Sequence, residues 1–218
     1  MKRTSLIAFA FLTVSACVSP DERSAMELAE RIVPAYADNI SFVQTEDTVD
    51  VFELSMKGDR LVIKGNNANS MAVGLNHYLK NTCDVTVSWH AYDAVQYPMP
   101  MPVLDEPVRA EARVDERFFL NYCTFGYTMP WWKWEDWERL IDWMSLIGVT
   151  MHLANNGLEA VWQKVWRKHG LTDEQIRSYF TGPAHLAWHR MCNIDSFDGP
   201  LPQGWIDSQV DLQKKILE

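Results

Sequence analysis

Glycine and proline are scarce in this chain, ten of each in 218 residues, while 47% of the residues are hydrophobic and 22% charged. That balance excludes a collagen-like repeat, a disordered polar chain and a coiled-coil rod, and leaves a globular protein. Positive charge is also short: 20 Lys and Arg face 29 Asp and Glu, a formal net charge of −9. A chain of that sign repels phosphate backbones, so no nucleic-acid partner is expected. No CxxC, no Cys/His cluster and no HExxH occurs, and His185 and His189 are the only histidines paired at helical spacing. Two imidazoles without a third ligand read as surface or packing residues, so neither a metal nor a cofactor is expected.

A membrane-spanning helix needs roughly 20 apolar residues, and the N-terminal run from Leu6 to Val14 is too short to span. It is preceded by Lys2 and Arg3 and followed by the small residues Ser15 and Ala16, the order of a secretory signal. Val14-Ser15-Ala16-Cys17 resembles a bacterial lipobox, which implies removal of residues 1–16 and acylation of Cys17. The protein is therefore expected to be exported and lipid-anchored to a bacterial membrane, otherwise periplasmic or secreted, and to touch the membrane only through the anchor. With Cys17 lipidated, Cys83, Cys123 and Cys192 remain; an odd number cannot all pair, so at least one stays a free thiol.

Tryptophan is what the chain has in excess, ten residues, nine of them after residue 130, so the halves differ. In the first, Ser24 to Asn39 reads as a helix capped by Ser24 and ended by Pro34. Val49 to Leu54 and Arg60 to Lys64 read as a hairpin turning at Lys57-Gly58-Asp59. Asn67 to Lys80 reads as a helix with Met71, Leu75, Tyr78 and Leu79 on one face, and Val85 to Trp89 as a further strand. These define an α/β domain over 24–97. Residues 98–107, with prolines at 98, 100, 102 and 107, form a helix-incompatible connector.

In the second unit, 108–218, Arg117 to Thr124 suits a buried strand and Trp134 to Ile147 an amphipathic helix stopped at Gly148. Val149 to Ala154 reads as the next strand, followed by helices from Leu158 to His169 and from Thr172 to Phe180, the latter with a Thr172/Gln175 capping box. Strand, helix, parallel-capable strand and helix open a βα-barrel or a doubly wound sheet. A complete barrel takes about 250 residues, and the amphipathic segment 213–218 carries no stop signal, which reads as a truncated barrel. On length alone, a small complete α/β domain ending in a helix competes.

The stretches Asn121-Tyr122-Cys123-Thr124, Trp131-Trp132-Lys133-Trp134-Glu135-Asp136-Trp137-Glu138-Arg139, Gly157-Leu158-Glu159-Ala160-Val161-Trp162-Gln163, Phe180 to Trp188 and Asp198-Gly199-Pro200-Leu201-Pro202 together resemble the α-N-acetylglucosaminidases of glycoside hydrolase family 89. Gly74 to Lys80 is similar to that family's N-terminal domain. The resemblance implies a small α/β domain followed by the first part of a (β/α)8 TIM barrel. The implied chemistry is exo-acting removal of terminal α-linked N-acetylglucosamine with retention of configuration. Retention uses two glutamates on later barrel strands, and neither has a matching position here. Retaining hydrolysis needs two carboxyls about 5 Å apart, so the polypeptide as given is expected to be inactive alone, its partners being glycans ending in α-N-acetylglucosamine.

The same resemblance assigns Asn121, Cys123, Tyr127 and Trp188 to the pocket for the non-reducing sugar: Asn121 as a hydrogen-bonding group, Cys123 as a lining thiol, the two rings as pyranose platforms. Read without it, Asn121 is a turn former at a strand end, Cys123 a small buried hydrophobe and Trp188 either core or platform. Trp134, Trp137 and Trp143 read as helix packing. Glu159 follows the second strand, but a match at a loop position does not make it catalytic. A different class of function, a non-catalytic glycan-binding surface lipoprotein using its tryptophans as stacking platforms, stands as the alternative.

Overall fold

The computed structural model describes residues 18–91 and 95–218; the expected leader and Cys17 lie outside them. The first helix, α1, runs Pro20–Ile32 and is capped by Ser19, whose hydroxyl accepts from the Glu22 backbone N–H while the Glu22 side chain accepts from the Ser19 N–H. The helix therefore starts ahead of Ser24, the cap expected from its spacing, because Ser19-Pro20-Asp21-Glu22 offers a complete reciprocal box. It ends at Ile32, before Pro34, as that proline requires. A four-stranded sheet follows in the order β1-β3-β2-β4, with β1 Ile40–Gln44, β2 Val51–Lys57, β3 Arg60–Gly65 and β4 Val108–Glu111. The expected hairpin is β2–β3, turning through Gly58 at φ +66°, a conformation glycine adopts without a Cβ clash. Helix α2, Ala68–Asn81, capped by Asn67, lays Met71, Leu75, Tyr78 and Leu79 into the core of this unit.

Three features of the first unit depart from the sequence expectation. Strand β1 lies just after the expected helix, in residues to which the sequence pattern assigns no element, and pairs parallel with β3. Val85 to Ser88 forms no ladder, and Trp89 lies in a turn. Val85 and Val87 enter the first core while Trp89 packs among Trp132 and Trp143 of the second, so its alternation records a strap between two cores. Residues 108–111, placed by sequence in the second unit, close the first sheet against β2. The proline segment leading to them is pinned to that unit. The Tyr36 and Tyr78 hydroxyls donate to the Pro98 and Pro102 carbonyls, and Tyr97 donates to Ile32 O at 2.6 Å.

The second unit opens with β5, Phe118–Phe119, and β6, Met151–His152, paired in parallel, with α4, Trp134–Leu146, as the connection. Both strands are shorter than their apolar runs suggest. The chain leaves β5 at Leu120, a buried non-glycine residue held at φ +85°, and Asn121 then starts a helix. Gly148, at φ +79°, ends α4 as expected. Trp137, Leu140 and Met144 of α4 fill the second core, and Leu146 reaches into the first. Trp134 and Trp143 are half-buried: Lys215 Nζ sits 4.2 Å from the Trp134 ring centre, and Trp143 packs on Phe119. Helices α5 Leu158–Lys168, α6 Asp173–Tyr179 with its Thr172/Gln175 box, α7 Leu186–Arg190 and α8 Gln203–Leu217 complete the described chain. The whole is a small α/β unit followed by the opening βαβ of a barrel. Among the described residues no helix is long and apolar enough to cross a membrane.

The two units are joined by ion pairs. Arg31 of α1 forks onto Asp142 of α4 at 2.9 and 2.7 Å. Arg117 Nη2 lies 2.6 Å from Asp50, which also accepts from Asn66 and Asn67. Burial pushes the Asp50 pKa up, but the hydrogen bonds from Arg117, Asn67 and Asn66 and the guanidinium charge outweigh it, so the net shift is below 3.8. A depressed folded value means that this stabilisation is complete above the unfolded pKa and is lost as pH falls through the folded one. Asp50→Asn should therefore flatten the decline of the urea midpoint over roughly pH 5 to 2, which wild type shows.

Candidate functional site

Helix α3, Tyr122–Thr128, starts directly after β5 because Asn121 caps it: Asn121 Oδ1 accepts from Thr124 N–H at 2.9 Å and from the Thr124 hydroxyl at 3.2 Å. Both bonds use the amide oxygen. The amide nitrogen, without a partner among the described residues, is the end offered outward, so Asn121 acts as cap and hydrogen-bond donor at once. Cys123 follows in the first turn, exposed, its Sγ 3.9 Å from Met191 Sδ. It is a surface thiol, and the buried-hydrophobe reading of it does not hold. Tyr127, one helical turn on, is 76% exposed and meets Trp188 edge to face, with ring centres 5.7 Å apart.

Trp188 belongs to α7, which the periodicity of the sequence did not reveal as a helix. Gly126 allows α3 and α7 to touch: a Cβ there would lie 2.7 Å from Ala187 Cβ and 3.0 Å from the Trp188 ring. Cys123 and Tyr127 thus meet α7 at Met191 and Trp188 along one seam, and Asn121 caps the same helix α3, past the C-terminal end of a parallel strand, the edge on which barrel proteins build their sites. Trp188 is half-buried, its ring shared between packing and the outer surface.

Glu159 is on the inner side of this seam. Its carboxylate takes Arg190 Nε and Nη2 at 2.8 and 2.9 Å, and both side chains are 1% exposed. That carboxylate is closed off from solvent by its pairing with Arg190. Sequence reading missed Arg190 as its partner because 31 residues separate them; no helical or strand period spans that distance. His185 and His189, read as packing or surface, are both in aromatic contacts. His185 meets Phe197, and His189 is enclosed by Trp162, Tyr179 and Phe180 at 5.1–5.5 Å.

Burial drives the His189 pKa below 6.5, with Arg190 acting in the same direction and Glu159 against it. A histidine held neutral in the fold leaves stability intact above its unfolded pKa and lowers it as pH falls from there toward the folded value. His189→Phe should remove that part of the loss of Tm between about pH 7 and pH 5. The other described cysteines are free: Cys83 is buried, its thiol pKa raised by burial with the neighbouring Tyr78 and Tyr36 acting against it, and Cys192 is exposed. Among the described residues no group of three His, Cys, Asp or Glu side chains could hold a metal ion.

A small α/β unit leading into parallel strands, with polar and aromatic groups past the end of the first of them, defines the opening of a barrel-type α/β protein. Residues 23–103 match the α-N-acetylglucosaminidase N-terminal domain, and residues 117–218 match the α-N-acetylglucosaminidase TIM-barrel domain. Human α-N-acetylglucosaminidase is 39% identical over 171 residues, 78% of this chain and 23% of the relative. The family 89 glycoside hydrolase of Clostridium perfringens, solved with 2-acetamido-1,2-dideoxynojirmycin, superposes with a TM-score of 0.83 at 33% identity, over 90% of this chain and 23% of that one. A form of the same enzyme with two Glu-to-Gln substitutions, solved with its substrate GlcNAc-α-1,4-galactose, gives 0.82 at 34%, with the same coverage. The chain belongs to the α-N-acetylglucosaminidase family and corresponds to its N-terminal portion. It spans about a quarter of the length of these relatives.

Proposed function

We propose that this chain supplies one wall of the sugar pocket of an exo-acting, retaining glycosidase that hydrolyses terminal α-linked N-acetylglucosamine. The observation that carries the reading is the α3/α7 seam, where the free amide nitrogen of Asn121, the Cys123 thiol and the perpendicular Tyr127–Trp188 pair lie past the end of β5. A donor beside two aromatic rings suits a pyranose, which offers hydroxyls on its rim and CH groups on its faces. The acid/base and the nucleophile come from barrel strands outside these residues. Glu159, the buried carboxylate behind the seam, is held by Arg190. The chain alone is therefore inactive, because a retaining reaction needs two carboxyls across the bond.

The test is release of nitrophenol from 4-nitrophenyl α-N-acetylglucosaminide by residues 18–218 and by the complete gene product. Hydrolysis by the complete product and none by this chain is the expected result; hydrolysis by residues 18–218 overturns the division of labour. Sugar binding without hydrolysis by the complete product would favour the glycan-binding lipoprotein. We further propose that the protein is exported and anchored through Cys17. Metabolic labelling with a fatty acid should tag wild type and leave Cys17→Ser unlabelled.

A further inference from the structure

The ion pair behind the seam does more than fill space. Two charges sealed from water gain little over apolar residues of the same volume, yet here one carboxylate takes Arg190 Nε and Nη2 at 2.8 and 2.9 Å, while Nη1 has no acceptor among the described residues. The pair connects three elements. Glu159 is in the first turn of α5, directly after the loop that leaves β6, where a carboxylate is favoured by the helix dipole. Arg190 ends α7, two residues beyond Trp188. The Arg190 guanidinium carbon lies 4.7 Å from the ring centre of Phe125, which is fully buried in α3 between Cys123 and Tyr127. Three contacts join the two helices in front, Cys123 with Met191, Gly126 with Ala187 and Tyr127 with Trp188, and one joins them at the back, Phe125 with Arg190.

We infer that Glu159 and Arg190 are positioning residues that hold α7 against α3, fixing Trp188 perpendicular to Tyr127 and so setting the shape of the sugar-facing wall. The consequence for sugar rests on the function proposed above; the consequence for the ring pair does not. The reason lies in Arg190's planar fork. Bound at two points to Glu159 and lying on Phe125, it fixes both the distance and the rotation of α7, which a single point charge or an apolar side chain cannot do. Neither residue touches the sugar in this arrangement.

The test uses residues 18–218 as wild type, Arg190→Lys, Glu159→Gln and the apolar double replacement Glu159→Met with Arg190→Met, and has two readouts. The first is the Trp188 indole signal in a proton–nitrogen NMR spectrum, assigned with Trp188→Phe; in wild type it should carry a ring-current shift from the perpendicular Tyr127 ring, and Tyr127→Leu gives the unshifted reference. The second is affinity for N-acetylglucosamine, titrated by the same signal. Arg190→Lys and the double variant should stay folded by far-ultraviolet circular dichroism, lose the ring-current shift, and bind the sugar at least tenfold more weakly. Glu159→Gln should fall between, since one acceptor oxygen remains. Ile63→Val, in the first core, lowers Tm and should move neither readout. If the single variants unfold, the double variant decides, because it leaves no charge stranded. A folded double variant that keeps the wild-type shift overturns the positioning role. If wild type shows the shift but binds no N-acetylglucosamine, the sugar reading fails, while the positioning role is still decided by the shift.

Discussion

Trp137→Ala should cost about 3–5 kcal/mol and remove cooperative unfolding of the barrel portion while the first α/β unit still melts. Trp137 is 1% exposed and lies at the centre of the second core, edge to face with Trp132 at 5.5 Å, which in turn meets Trp89 at 5.6 Å. Truncation to Ala leaves a void that a helix fixed by its Lys133/Asp136 start, the Arg31–Asp142 fork and the Gly148 stop cannot collapse to fill. Trp137→Phe should cost far less, because most of the volume is kept and the indole N–H, which has no protein acceptor, is removed with its burial penalty. Thermal melts followed by near-ultraviolet circular dichroism check both. Equal losses for Ala and Phe would place the effect in the N–H and not in the packing.

Affinity for N-acetylglucosamine should fall about tenfold in both Asn121→Ser and Asn121→Ala, the loss of one hydrogen bond of about 1.4 kcal/mol, while only the alanine variant loses stability. Serine caps a helix about as well as asparagine and alanine does not, a difference of about 1 kcal/mol, so the pair separates the oxygen that starts α3 from the nitrogen offered to the sugar. Tyr127→Ala should weaken the sugar to a similar degree at almost no cost in stability, since three-quarters of that ring is already in solvent. Isothermal titration and urea melts on the same samples make the comparison. Unchanged affinity in Asn121→Ser with lowered affinity in Asn121→Ala would leave Asn121 as a cap alone.

Local patterns carried much of the secondary structure. The hairpin at Gly58, the α2 face of Met71, Leu75, Tyr78 and Leu79, the α4 stripe ending at Gly148 and the Thr172 capping box all depend on residues within a few positions of one another. The same locality explains the failures. Val85 to Trp89 alternates like a strand because it faces two cores in turn, and a ladder requires a neighbour that no sequence window shows. Strand β4 belongs to the first sheet through hydrogen bonds to β2 made across more than 50 residues.

The candidate site divides along the same line. Asn121, Cys123, Tyr127 and Trp188 were legible only through resemblance to a family; nothing in their spacing brings residue 188 to residue 127. Their meeting depends on Gly126, where the missing Cβ lets two helices approach, and on the Glu159–Arg190 fork behind them. The sequence by itself determined the acidic, globular, tryptophan-rich character of the chain and most of its helices, because composition and short-range periodicity act within a turn or two of backbone. Only the tertiary structure decided which end of Asn121 is spent on a helix cap and that Glu159 is buried against an arginine 31 residues distant, because close packing and buried charge pairing act on distance in space, whatever the separation along the chain.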